Sequence, residues 1–385
     1  MRSQKWDRLA VPFLGPLATV RSKSFHWNFP VPKTGPPDGP VFGTALFPFF
    51  GRLSEASAFF KWVNAAIADA PAGRPPLLIN MDETALGYHF GGLRGTILRQ
   101  RADSSAAPLD RASLSDVRGH VSYLASICDD VTVQDLLPQV LLGNEHRFTK
   151  QVLHSMEGKC PSNVKLWRQK SAWNSHATMR RYVCLLAKNL GVLLQQRYVI
   201  LLVDTASVHI HMSIYKLARQ RGLRLVYVPA KMTRWLQPCD THLFAAFKRT
   251  LTDNWRRKKS EIINGCVDTE TWLRVILSTI REIVQADWAH AFQRVGLSDQ
   301  QAQLSPHLFQ TLGWEAPCCL PLTQITLEEA RIIFPARTRL DFMSYIQWVP
   351  AAKRAGSTCA QPKAAHPKRR KLPPTFRGRV VQTLD

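Results

Sequence analysis

Three aspartates stand where the chain can gather negative charge at one point. Asp82 follows the apolar run Leu77–Met81, within Asn80-Met81-Asp82-Glu83-Thr84. Asp204 closes the most continuous apolar run of the chain, Tyr198–Val203, and Asp240 opens a basic segment within Leu236-Gln237-Pro238-Cys239-Asp240. Taken singly, each has an ordinary role. An Asp after a strand makes a local backbone hydrogen bond, and an Asp at a helix start accepts from free N–H groups. Taken together they suggest more, because crowded carboxylates repel one another and take up protons unless a cation neutralises them. Hard divalent ions such as Mg²⁺ prefer oxygen ligands of this kind. A pair of such ions can polarise a phosphodiester, activate an attacking oxygen and hold the leaving oxygen in line.

The charge balance suits such a substrate. Among 385 residues, 51 Lys and Arg face 28 acids, a formal net charge of +23. That excess points to a polyanionic partner, most often nucleic acid. With 45% hydrophobic residues the chain can bury a sizeable core. It contains no run of eighteen or more apolar residues, which argues against a transmembrane helix. The apolar part of the N-terminus is broken by Pro12 and Pro16, against a signal peptide. Eight cysteines form no Cys-x-x-Cys pair, so neither a zinc ribbon nor a dithiol redox motif is indicated, and scattered thiols favour an intracellular compartment. His209, His211 and His242 lie near the acids but lack zinc-ligand spacing, and helix-terminus hydrogen bonding accounts for them better. No Gly-x-x-x-x-Gly-Lys loop is present, against a nucleotide-driven enzyme.

Positioning these acids requires strands that end beside one another. Residues 1–52 read as an irregular Pro- and Gly-rich arm, and 53–76 as a short helix, N-capped by Ser54, with a linker. The runs 77–81, 121–127 and 139–143 read as three consecutive strands ending or starting at polar turns. A helix is expected over 175–190. The run 198–203 has the character of a strand buried on both faces, and with a helix over 208–220 and a strand over 225–228 it makes a parallel crossover unit. Helices are expected from Asp240 to about Lys259 and from Thr269 to Arg294, the latter burying Trp272 and Trp288. In an open sheet of this kind, functional side chains gather outside the carboxyl ends of the strands. Residues 298–352 read as a weakly structured extension and 353–385 as a basic disordered tail. That tail holds nine basic residues and no acid between 353 and 379, including the cluster Lys368-Arg369-Arg370-Lys371. The cluster reads as a nuclear-localisation or phosphate-contact patch.

The ordered set Asn80-Met81-Asp82-Glu83-Thr84, Val203-Asp204-Thr205-Ala206-x-x-His209 and Val228-Pro229-x-x-x-Thr233-x-x-Leu236-Gln237-Pro238-x-Asp240 resembles the DDE-superfamily endonuclease domain. More narrowly, it is similar to the pogo/jerky branch of mariner-like transposases, related to centromere protein B. Phe244-x-x-Phe247-Lys248-Arg249 belongs to the same similarity, which spans roughly residues 77–297. The resemblance implies an α/β, RNase H-like mixed sheet flanked by helices. It also implies Asp82, Asp204 and Asp240 as catalytic acids holding two Mg²⁺ or Mn²⁺ ions, and cleavage and joining of DNA strands. On this reading Glu83, Thr205 and His209 surround and orient the acids; Thr205 stands where that branch usually has Asn. Lys248, Arg249, Arg256, Arg257, Lys258 and Lys259 would line a DNA path, although a solvated helix face explains them about as well. The expected setting is the nucleus, on DNA, with a homo-oligomer assembled there. The N-terminal region reads as too short and irregular for the paired helix-turn-helix modules that normally recognise transposon ends in that branch. An alternative therefore stays open: a domesticated, non-catalytic DNA-binding or chromatin protein that keeps the fold.

Overall fold

Apolar runs of five to eight residues, separated by polar turns, build a single sheet. The computed structural model of the chain describes residues 47–87, 121–260, 268–284, 286–306, 308 and 325–346. The arm before residue 47, the glycine-containing loop beyond Gly87, and the tail with Lys368, Arg369, Arg370 and Lys371 lie outside the described residues.

The strands are β1 (Pro76–Leu86), β2 (Val121–Cys128), β3 (Gln139–Asn144), β4 (Val164–Gln169), β5 (Tyr198–Asp204) and β6 (Leu223–Val228), in the order β4-β3-β2-β1-β5-β6. β1 pairs antiparallel with β2, and β2 with β3. β1 pairs parallel with β5, and β5 with β6. An antiparallel three-strand unit joined through its first strand to a parallel pair is the RNase H-like arrangement, to which β4 adds an edge strand parallel to β3. Around the sheet lie α1 (Phe47–Ala68), α2 (Lys150–Ser155), α3 (His176–Leu190), α4 (Met212–Gln220), α5 (Phe244–Ser260), α6 (Thr269–Val284), α7 (Ala289–Arg294), α8 (Leu327–Arg331) and α9 (Leu340–Tyr345). Val199–Val203 are fully buried, as befits a central parallel strand covered on both faces. Trp272 and Trp288 are core residues, as expected.

Several boundaries differ from the sequence expectation, each for a local reason. β1 does not end at Asp82: it continues to Leu86, because its antiparallel pairing with β2 runs on to Leu86↔Val121. What stops near Asp82 is the parallel pairing with β5, whose last matched residues are Asn80↔Leu202. The helix expected from Val208 starts at Met212, because Ala206–His211 first make a turn and the His211 side chain accepts from the Ser213 N–H as N-cap. The single helix expected over 269–294 is two. Asp287 accepts from Ala289 N at 2.9 Å and starts the second, while Trp288 Nε1 donates to the Ile283 carbonyl at 3.2 Å across the break. At the other end of the chain, α1 begins at Phe47 rather than Ser54. β4 was not expected at all; Val164-Lys165-Leu166-Trp167-Arg168-Gln169 is a short edge strand without clean alternation.

The segment 325–346 packs on the core. Lys61 of α1 pairs with Glu329, which also closes a capping box with Thr326 at the start of α8. Phe334 and Phe342 pack edge-on against Tyr227 with ring centroids 5.4 and 5.9 Å away. The Ala230 N–H donates to the Ile333 carbonyl at 3.3 Å, tying this segment to the loop after β6.

Candidate functional site

The parallel register sets Asp82 beside Asp204. Two residues beyond the matched pair Asn80↔Leu202, Asp82 stands in mid-strand and Asp204 is the last residue of β5. Asp82 is 7% exposed, and its Oδ1 accepts from the Glu83 N–H at 2.7 Å. Its carboxyl is held well above the usual carboxylate range, by burial first, then by the charges of Asp240 and Asp204, against which the Glu83 N–H acts weakly. Among the described residues, no basic side chain offsets this repulsion on Asp82.

Asp240 reaches the same place from another element. The expected helix start at Asp240 is a π-helical turn, Cys239–Leu243, which runs into α5. One buried side chain anchors that turn. Asn80 accepts from the Cys239 N–H at 2.8 Å while donating to the Leu202 carbonyl at 3.1 Å. It therefore ties β1, β5 and the Asp240 turn together. The Asp240 side chain is exposed and makes no hydrogen bond among the described residues, so a capping role does not explain it. Asn80 was quoted in the sequence motif without a role; the signal for it was a polar residue inside an otherwise apolar strand.

Asp204 is held differently. Burial pushes its carboxyl up, but a hydrogen bond and charge from His209, with the Ala206 N–H at 3.1 Å, bring it below the usual range. His209 is 1% exposed, with Nδ1 on Asp204 Oδ1 and Nε2 at 3.6 Å from Glu83 Oε1, beyond hydrogen-bond reach. Burial disfavours its charge, yet the Asp204 hydrogen bond and the two carboxylates raise it above an ordinary imidazole. Tyr227 donates to the His209 carbonyl at 3.1 Å, and Asn174 Nδ2 donates to Glu83 Oε1 at 2.9 Å. Burial also lifts Glu83, with His209 and Asn174 opposing. His209 thus sits between Asp204, which it bonds, and Glu83, 3.6 Å away. Thr205 is buried next to Asp204. Asn174 left no trace in the sequence reading, because it comes from the loop between β4 and α3.

The donor set, three carboxylates with uncompensated repulsion on Asp82, fits a hard divalent cation in chemistry. Among the described residues, however, no three His, Cys, Asp or Glu side chains already form a metal-holding group. His211 and His242 serve local hydrogen bonds, to Ser213 Oγ at 2.8 Å and Thr241 Oγ1 at 2.7 Å. Lys248, Arg249, Arg256 and Arg257 lie exposed on α5, Lys258 is half-buried, and the Lys259 side chain is outside the described residues. Arg256 pairs with Asp253 at 3.6 Å, and Arg257 bonds Asn254.

Residues 131–298 match the family described as DDE superfamily endonuclease, a stretch that contains Asp204 and Asp240 but starts beyond Asp82. No curated protein matches the chain. Among solved structures, the chain is similar to a Mos1 transposase paired-end complex with left transposon end, at 14% identity and TM-score 0.31, covering 68% of this chain and 66% of that one. A Mos1 mariner paired-end complex with Mn is similar at 14% identity and TM-score 0.33, covering 70% and 68%. The Mos1 transposase catalytic domain with raltegravir and Mg gives 14% identity and TM-score 0.31, covering 64% and 96%. The chain thus spans about two thirds of the length of the longer Mos1 chains.

Proposed function

We propose that the chain is a transposase-derived DDE nuclease and strand transferase acting on DNA, of the pogo/jerky branch related to centromere protein B. Asp82, Asp204 and Asp240 would hold two Mg²⁺ or Mn²⁺ ions, which when bound polarise the scissile phosphodiester and activate the attacking oxygen. The observation that carries the reading is geometric: the β1–β5 register and the Asn80 bonds to Cys239 N and the Leu202 carbonyl draw together the three distant stretches that carry Asp82, Asp204 and Asp240. His209 would keep Asp204 ionised and oriented, leaving its second oxygen for a cation, and Asn80 would hold the Asp240 turn against the strand ends. The net charge of +23 suits a DNA partner, and a homo-oligomer on DNA fits the same reading.

One observation favours a second reading, a non-catalytic DNA-binding protein that keeps the fold. Asp204 Oδ1 is already engaged by His209. A plasmid-nicking assay with Mg²⁺ or Mn²⁺ decides between them. Nicking by the wild type, lost in Asp82→Asn, Asp204→Asn and Asp240→Asn while DNA binding persists, supports the catalytic reading. DNA binding with no nicking in any of the four proteins supports the second.

A further inference from the structure

Beside Thr205, the residue after Asp204, a groove of about 290 Å³ opens between the β5–α4 loop and the segment Pro335–Phe342. Ser207, His211 and Met212 form one wall, and Arg337, Thr338 and Arg339 the other. The second wall is built rather than loose. Phe334 and Phe342 anchor its ends in the aromatic cluster around Tyr227, and Thr338 N donates to the Pro335 carbonyl at 2.8 Å to make its turn. Two arginines cap this wall with unequal commitments. Arg339 is engaged with Asp341 in two parallel hydrogen bonds of 3.1 and 2.9 Å. Arg337 is exposed and has no hydrogen bond or ion pair among the described residues. Asp341 is the groove's one carboxylate, so the lining carries a net positive charge whose uncompensated part sits on Arg337.

We infer that this groove seats the sugar-phosphate backbone of the DNA strand that enters the acid site, with Arg337 as a phosphate ligand and Arg339 held in reserve by Asp341. The inference rests on the proposed DNA-acting function and names where the strand lies. Thr205, which lines the groove, directly follows Asp204 in the chain, so the groove lies on the same β5–α4 connection as the acid. A guanidinium without a partner, at the rim of a polar groove, is suited to a phosphate because its planar fork matches two phosphate oxygens. The exposed face of α5 is the competing path, where Arg256 pairs with Asp253 and Arg257 hydrogen-bonds Asn254.

The test uses the full chain and a fluorescently labelled DNA duplex, with affinity measured across a salt series for wild type, Arg337→Glu, Asp341→Asn and Arg256→Glu. Thermal melting of each variant confirms folding. Asn at 341 keeps the acceptor for the Phe342 N–H, bonded at 2.9 Å, while removing the charge that occupies Arg339. Arg337→Glu is expected to bind at least about tenfold more weakly and to lower the salt-dependence slope by about one, as loss of a phosphate contact does. Asp341→Asn is expected to bind more tightly, and Arg256→Glu to lose less than Arg337→Glu. If wild type binds and nicks DNA while Arg337→Glu keeps its affinity and slope, the groove assignment is overturned and the proposed function stands. If wild type binds no DNA at all, both are overturned.

Discussion

At the scale of single residues, the side chains that matter most are those that hold the acids in place. Asn80 is fully buried and satisfies groups on both β5 and the Asp240 turn. Asn80→Ala strands the Cys239 N–H and the Leu202 carbonyl without their partner, and a loss of about 2 kcal/mol in urea unfolding is expected, since buried unsatisfied groups cost about 1–3 kcal/mol each before relaxation. A loss below about 0.5 kcal/mol would show that Asn80 is not the tie described. Asp129, just past the end of β2, accepts from the Leu78 N–H at 3.0 Å; burial, with Asp299 adding to it, pushes its carboxyl up to about 7. A raised carboxyl pKa makes the folded state bind the proton more tightly. Its contribution is therefore fully present below the unfolded value, about 4, and lost as pH rises through about 7. Asp129→Asn keeps the acceptor and removes the charge. It should match wild type near pH 4 and exceed it by up to about 4 kcal/mol at pH 8, three pKa units at about 1.4 kcal/mol each. A difference independent of pH in urea titrations would refute the assignment. Among the site residues, Asp82, Asp204 and His209 could be read from their places in the motif. Asn174 and Arg337 could not, because a loop asparagine and a surface arginine carry no periodic signal.

At the scale of elements, the apolar runs located five of the six strands, and the polar interruptions located their ends to within a few residues, except that of β1. Errors fell where side chains, rather than periodicity, decide. Asp287 restarts a helix, His211 delays one, and antiparallel pairing with β2 extends β1 past Asp82. The turn after α7 is of the same kind. Gly296 has φ +83°, and a Cβ there would run into the Gln303 carbonyl oxygen. That turn delivers Ala302 to Asn64 of α1, whose side chain makes two hydrogen bonds of 2.7 Å to the Ala302 backbone. Gly296→Ala is therefore expected to cost about 3 kcal/mol, combining left-handed strain with overpacking. Gly73, at φ +78° with open space around it, provides the comparison, and Gly73→Ala should cost about 1 kcal/mol. Equal costs for the two in urea melts would mean that the Gln303 contact contributes nothing.

At the scale of the whole molecule, a core of buried hydrophobics runs from α1 through the sheet to α9, so the segment 325–346 is part of the folded body. The basic tail is a separate question of charge and address. We propose that Lys368, Arg369, Arg370 and Lys371 direct the protein to the nucleus, and a fluorescent fusion lacking residues 353–379 should lose nuclear accumulation; an unchanged distribution would remove the claim. What the linear chain determined was the local content: which runs are apolar enough to be buried strands, which acids fall near their ends, and how much positive charge the molecule presents. Each of these follows from residues within a dozen positions of one another, where side-chain period and burial are linked. Only the tertiary structure decided that Asn80 clasps a turn 159 positions away and that Arg337 stands across a groove from the β5–α4 loop. Those relations depend on strand register and on how the connections close, which no stretch of sequence encodes by itself.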